Sequence, residues 1–131
     1  MTEGEGGSIH LDVEAVLIVH AEIFGMSVAA ARDRVLKPEG LASAVNRPPT
    51  YEHYRDADLA LQGAVLAHGI AEGQIFVDGN KRTGLEAMRL FLDINGVVLR
   101  APQAELAGWM LDLAAGTTPE QLAERIRRRI E

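Results

Sequence analysis

The sequence predicts an all-helical fold, and two observations carry that prediction. Aromatic residues make up only 5% of the 131-residue chain while hydrophobic residues make up 47%, so the core must be built from Ala, Leu, Val and Ile. That balance favours helices over sheets. Apolar residues also recur at helical spacing in several segments separated by Gly, Pro and Asx breaks. The length favours one domain over residues 1–131 with a modest single core.

Residues 1–8, MTEGEGGS, are acidic and glycine-rich and are expected to form a disordered tail. Asp12 is placed to cap a helix through VEAVLIVHAEIF, which Gly25 would end. The next stretch, MSVAAARDRVLKPEGLASAVNRPPTYEHY, reads as a loop with short helical pieces. Pro38 and Gly40 break it once and Pro48-Pro49 break it again. A second long helix is expected from about Asp56 to Glu72, with Leu59, Gly63, Leu66 and Ile70 on one face. After an interruption, helical periodicity resumes beyond Gly84 with Leu85, Met88 and Leu92, and Asn95-Gly96 makes a C-terminal stop. VVLR is long enough only for an edge strand or an extended link. Pro102 opens a further helix ending near Gly116. Thr118-Pro119-Glu120-Gln121 combines an N-cap, a proline at the first helical position and a capping-box Gln ahead of a last helix.

Several function classes lose ground on composition. The chain has no cysteine, so disulfides and thiolate metal sites are excluded. Its formal net charge of −6 disfavours direct binding of nucleic acid. The basic cluster RIRRR at 125–129 is read as a solvated helix face rather than a nucleic-acid grip. The N-terminus lacks the basic and apolar regions of a signal peptide, and no apolar run reaches the ~18 residues a membrane span requires. A soluble cytoplasmic protein without membrane contact is the expectation.

The chemistry concentrates in QIFVDGNKRTG, residues 74–84. A new helix N-terminus offers unpaired N–H groups and positive dipole charge. Gly79 permits positive φ, and successive N–H groups in such a turn can cup an anion. Lys81 and Arg82 add two positive charges, Arg82 as a fork suited to phosphate. Asp78 is an oxygen ligand for a hard cation such as Mg²⁺, which bridges carboxylate and phosphate. Asn80 can orient the loop or donate to a phosphate oxygen. Phe76 reads as a core plug holding the loop root. The same residues also fit a plain surface turn, because DGN is good turn chemistry and Lys-Arg a good solvated pair.

The stretch resembles the signature loop of the Fic/Doc superfamily, written H-x-F-x-[D/E]-[A/G]-N-[G/K]-[R/K]. From Phe76 to Thr83 it resembles the Doc branch, the toxin of the Phd–Doc system. LDVEAVLIVHAEIFG, LKPEGLASAVNRPP and LFLDINGVVL carry the resemblance over most of residues 10–116. It implies a helical domain in which the signature loop joins two central helices and binds ATP. Relatives of the AMP-transferring kind modify a hydroxyl on a target protein. Doc-type toxins transfer the γ-phosphate of ATP to a threonine of elongation factor Tu, a translation factor. Lys81, where AMP-transferring relatives carry Gly, and Leu85, where they carry a second Arg, favour the Doc side. By this mapping Asp78 holds Mg²⁺, and Gly79, Asn80, Lys81 and Arg82 cradle the phosphates. The segment from Arg47 to Tyr54 is expected to match the target-docking flap. The resemblance also implies a Phd-like antitoxin as partner. No match to the inhibitory motif [S/T]-x-x-x-E-[G/N] occurs, so control is expected in trans, with an amphipathic helix in a groove beside the loop.

One departure bears on activity. The family has His, the general base, where this chain has Gln74. A carboxamide cannot take the proton from a hydroxyl, whereas an imidazole titrates near neutral pH. Three explanations follow: an engineered change that disables a toxin, a natural pseudoenzyme, or a base supplied by another group. His68 lies more than one turn away on the same helix and reads as a packed or surface residue, and His10, His20 and His53 have no better claim. A phosphotransferase impaired at Gln74 is the first reading. A catalytically silent module binding nucleotide or an antitoxin is the second, and AMP transfer is the third.

Overall fold

The computed structural model describes residues 2–3 and 7–131. In chain order these form β1 (Thr2–Glu3), β2 (Ile9–His10), α1 (Val13–Phe24), α2 (Val28–Asp33), α3 (Pro38–Arg55), α4 (Leu59–Glu72), α5 (Asn80–Ile94), α6 (Gln103–Ala114) and α7 (Pro119–Arg127). The all-helical expectation holds, since the only sheet among the described residues is the two-residue pairing of β1 with β2. No helix among them is long and apolar enough to cross a membrane.

α4 is the central rod. Ten of its residues, from Ala60 to Ala71, are buried, and α3, α5, α6 and α7 all pack on it. Small residues set the spacing to α5: a Cβ on Gly84 would lie 2.9 Å from the Ala67 carbonyl oxygen, too close for any larger side chain. Phe91, Met88 and Leu92 of α5, Leu66 and Ile70 of α4, and Leu106, Leu122 and Ile126 of the last two helices share one contiguous core.

Four expectations require correction. The middle stretch holds the short helix α2 and one 18-residue helix, α3, so the expected break near Pro38 stands and the expected break at Pro48-Pro49 does not. Pro38 sits in its first turn, where a missing N–H costs nothing. Pro48 and Pro49 remove donors only to the carbonyls of Ala44 and Val45, while Leu41, Ala44, Val45 and Pro48 are all buried. Packing thus overrides a helix-breaking signal. α4 begins at Leu59, not Asp56: Asp56 adopts φ 50° and ends α3, and Asp58 caps α4 by accepting from the Leu61 N–H. α5 begins at Asn80 rather than beyond Gly84, so the two cations of the signature stretch lie in its first turn. The segment expected as a docking flap, Arg47 to Tyr54, lies inside α3.

Residues 1 and 4–6 of the expected tail lie outside the described residues, but Thr2–Glu3 pairs antiparallel with Ile9–His10. β2 is fastened from both sides. The Asn95 side chain accepts from the Ile9 N–H at 2.8 Å and donates to the Ile9 carbonyl at 2.9 Å. The buried Glu52 carboxylate accepts from the Ser8 N–H at 3.1 Å and lies 2.9 Å from His10 Nε2. Burial alone would raise the Glu52 pKa, but the hydrogen bonds from Ser8 and His10 outweigh it and hold the group below its ordinary 4.5. A depressed carboxyl contributes stability that is complete above that value and lost as pH falls through the folded pKa. Amide exchange at Ser8 and Ile9 is therefore expected to accelerate below pH 4.5 relative to the core of α4. In Glu52→Gln this pH step should vanish; a step of unchanged size would remove Glu52 as its source.

At the other end, VVLR is an extended link, as expected: Leu99 pairs with Ile130, and the Arg100 N–H donates to the Arg129 carbonyl. Three of the four arginines of the basic cluster face carboxylates. Arg127 forks onto Asp58, Arg125 reaches Asp112, and Arg129 forks onto Glu105.

Candidate functional site

The signature stretch forms a sharp corner between α4 and α5. Gln74 is exposed and adopts φ 51°, the left-handed region, at the exit from α4. Ile75 and Phe76 then turn inward and are buried, and Val77 and Asp78 turn out again. Gly79 takes φ 76° and opens α5. Alanine fits the family pattern at this position, but here a Cβ would fall 2.3 Å from Phe24 Cζ, so both backbone angle and space require glycine.

Asn80 locks the corner from inside. Its Oδ1 accepts from the Phe76 N–H at 2.8 Å and its Nδ2 donates to the Phe76 carbonyl at 3.0 Å. Of the two roles expected for Asn80, orienting the loop is the one these bonds supply. A second strip of extended chain braces the corner from outside. The Leu36 N–H donates to the Ile75 carbonyl at 2.7 Å, and the Val77 N–H donates to the Arg34 carbonyl at 2.9 Å. The chain lying along the signature loop is thus residues 34–37, with Leu36 and Val77 both well exposed.

The start of α5 differs from the other helix starts in lacking both a side-chain cap and a first-turn acid: α3 and α6 are also uncapped but carry Glu39 and Glu105 there. Asp12, Ser27, Asp58 and Thr118 each cap their helix by accepting from a first-turn N–H. α5 has no side-chain cap and no acid in its first turn. It carries Lys81 and Arg82 there instead, where the macrodipole already favours negative charge. Two cations at a positive helix end repel the end they sit on. A bound anion removes that repulsion and supplies the missing acceptor.

Beneath the corner lies a cluster that the sequence did not reveal. His20, fully buried on α1, stacks on Phe76 with ring centroids 3.9 Å apart and a 6° interplanar angle. Phe24 tilts against the same ring at 4.7 Å. His20 Nδ1 lies 2.8 Å from Thr83 Oγ1, and Arg34 Nε donates to His20 Nε2 at 3.1 Å. Arg34 Nη2 reaches Asp78 Oδ1 at 3.0 Å. Burial, and then the Arg34 charge, lower the His20 pKa against the opposing pull of Asp78, so the ring is neutral at pH 7. One signal was available: His20 falls among apolar residues in VEAVLIVHAEIF, and a polar ring on such a face needs partners. Nothing in sequence joins Arg34 to Asp78, 44 residues apart.

The remaining candidates are placed as follows. Arg82 is exposed and Lys81 half-buried. Arg82 also borders a cleft of ≈ 650 Å³ between α1, α5 and the 97–99 link, lined by Val19, Ile23, Leu90 and Val98 among others. Leu85 is buried in the core. His68 faces Arg47 across α3 and α4, 3.4 Å away, and burial followed by that charge lowers its pKa. It is a packed histidine, as expected. The described residues contain no group of three or more His, Asp or Glu able to hold a metal. The Asp78 side chain, however, is 73% exposed, with one oxygen on Arg34. A single open carboxylate suits Mg²⁺, which keeps waters and takes phosphate oxygens in place of an all-protein cage.

Two comparisons bear on this corner. Residues 10–92 match the model of the Fic/DOC family. Over 94 residues the chain is 39% identical to a protein named Toxin Doc from Mycolicibacterium smegmatis (strain ATCC 700084 / mc(2)155), covering 70% of this chain and 68% of that relative.

Proposed function

Because the chain belongs to the Fic/Doc family, in its Doc branch, we propose that it is the toxin of a toxin–antitoxin system. Its corner is suited to move a phosphoryl group from ATP to a hydroxyl of a translation factor of the elongation factor Tu type, with transfer impaired by Gln74. The observation that carries this reading is the uncapped, cationic start of α5. It asks for a polyanion, and phosphoryl transfer needs little from a protein beyond positioning and charge stabilisation.

The roles follow from placement. The first-turn N–H groups of α5, with Lys81 and Arg82, bind phosphate oxygens. Asn80 holds the turn in shape through Phe76. Asp78 is the carboxylate for Mg²⁺, which when bound neutralises charge developing on the phosphates. Leu85 supports phosphate transfer over AMP transfer, because a buried leucine stands where a second arginine would serve the other register. The cleft beside Arg82 is the groove for a Phd-like antitoxin's amphipathic helix.

Titration calorimetry with Mg²⁺ and ATP tests the reading. Binding is expected for the chain as it stands, because no binding group depends on residue 74. Asp78→Ala and Arg82→Ala should each abolish it. ATP binding unaffected by either change would dismiss the corner as the site. The exposed Gln74 favours the second reading, a silent module. Capture of a Phd-like antitoxin, with no measurable nucleotide affinity, would move the conclusion there.

A further inference from the structure

We propose that Arg34 is the positioning residue of the signature corner, one guanidinium fixing the Asp78 carboxylate and, through His20, the Thr83 hydroxyl. Only its nucleotide arm rests on the function proposed above. Asp78 precedes the turn at Gly79 and Thr83 follows it, so a tie between them spans the turn. Arg34 grips the loop twice. Its carbonyl accepts from the Val77 N–H at 2.9 Å, and its side chain reaches Asp78 at 3.0 Å.

The direction of the chain of bonds is fixed by chemistry. An arginine in a protein keeps its protons and can only donate. His20 Nε2 must therefore accept from Arg34, which puts the single ring proton of the neutral imidazole on Nδ1. Nδ1–H then donates to Thr83 Oγ1, 2.8 Å away. Phe76 stacks on the ring and Phe24 tilts against it, so the ring cannot turn to another partner without disturbing the stack. Lysine could not reproduce this, because an ammonium is a point donor, whereas the guanidinium offers Nε to His20 and Nη2 to Asp78 as two separate donors in a fixed geometry. The Arg34 side chain is 28% exposed and lies outside the apolar core cluster, so its removal should spare the fold. It also places a cation next to the carboxylate that would receive the metal.

The test is heteronuclear NMR on the full-length chain labelled with ¹⁵N and ¹³C, together with Mg²⁺·ATP titration. In the unaltered protein His20 is expected as a single Nδ1–H tautomer that stays neutral at pH 7. Arg34→Met should release the ring into mixed tautomers, shift the Asp78 carboxyl ¹³C signal and weaken Mg²⁺·ATP by about tenfold, the scale of one lost charged hydrogen bond. Arg34→Lys keeps the charge and should leave the tautomers mixed. Arg34→Gln replaces the Met variant should that one fail to fold. An unchanged His20 tautomer in the Met or Gln variant overturns the proposal. So does an altered tautomer with Asp78 undisturbed. Absence of ATP binding by the unaltered protein would sink the proposed function instead, and the His20 and Asp78 signals would still decide the role of Arg34.

Discussion

Gln74→His is expected to raise phosphate transfer to a protein hydroxyl by about 10²–10⁴, the usual range for a general base, equivalent to about 3–5 kcal/mol of barrier. Gln can accept a hydrogen bond from the attacking hydroxyl but cannot carry its proton away. The rest of the corner stands ready: the turn is formed, the α5 start is open, and Asp78 is exposed. The backbone also suits the change. Residue 74 sits at φ 51°, where His is among the non-glycine residues most often found. The side chain is exposed and points into no packed region that a ring would disturb. The measurement is label transfer from ATP to a translation factor, with growth arrest as the cellular readout. Label should pass from γ-labelled and not from α-labelled ATP. Transfer of the α label would make this an AMP transferase. No gain with either label would mean that residue 74 is not what keeps the chain silent.

Phe76→Ala is expected to cost about 3–5 kcal/mol in stability, the range for deleting a fully buried aromatic ring. Against a total of about 5–15 kcal/mol for a domain, that is a large share. Phe76 is 1% exposed, and its ring is stacked face to face on His20. Truncation leaves a cavity under the corner and strips one wall from a buried imidazole. The two hydrogen bonds from Asn80 go to the Phe76 backbone and survive on paper, but they then tie the turn to a residue with no anchor. Urea denaturation measures the loss. A cost below about 1 kcal/mol would mean that the strip at residues 34–37, and not this ring, holds the corner in place.

The sequence carried the architecture well where local chemistry decides it. Asp12, Gly25, Thr118 and Gln121 act as the caps their types suggest, because a cap satisfies N–H or carbonyl groups within one turn of itself. Local reasoning failed where distant packing decides. Pro48-Pro49 reads as a stop, yet the buried face of α3 against α4 carries the helix through it. The expectation for residues 47–54 failed for a related cause, since which strip lies beside the loop depends on how α2 leads into α3. Within the site, the acid, the amide and both cations were legible because they are contiguous. His20, Phe24 and Arg34 were not, because their partners lie 14 to 63 residues away along the chain or meet only by stacking.

Asn80 ties Phe76 back across the turn, and Phe24 fills the space beside Gly79. The shape of the corner is thus decided while the chain folds, before any guest arrives. A host of this kind has little slack left to lose on occupancy, so a polyphosphate entering it need not organise its own seat. Whatever attraction the guest brings is then available for holding and for selecting, and residue 74 can change the chemistry without reshaping the cradle.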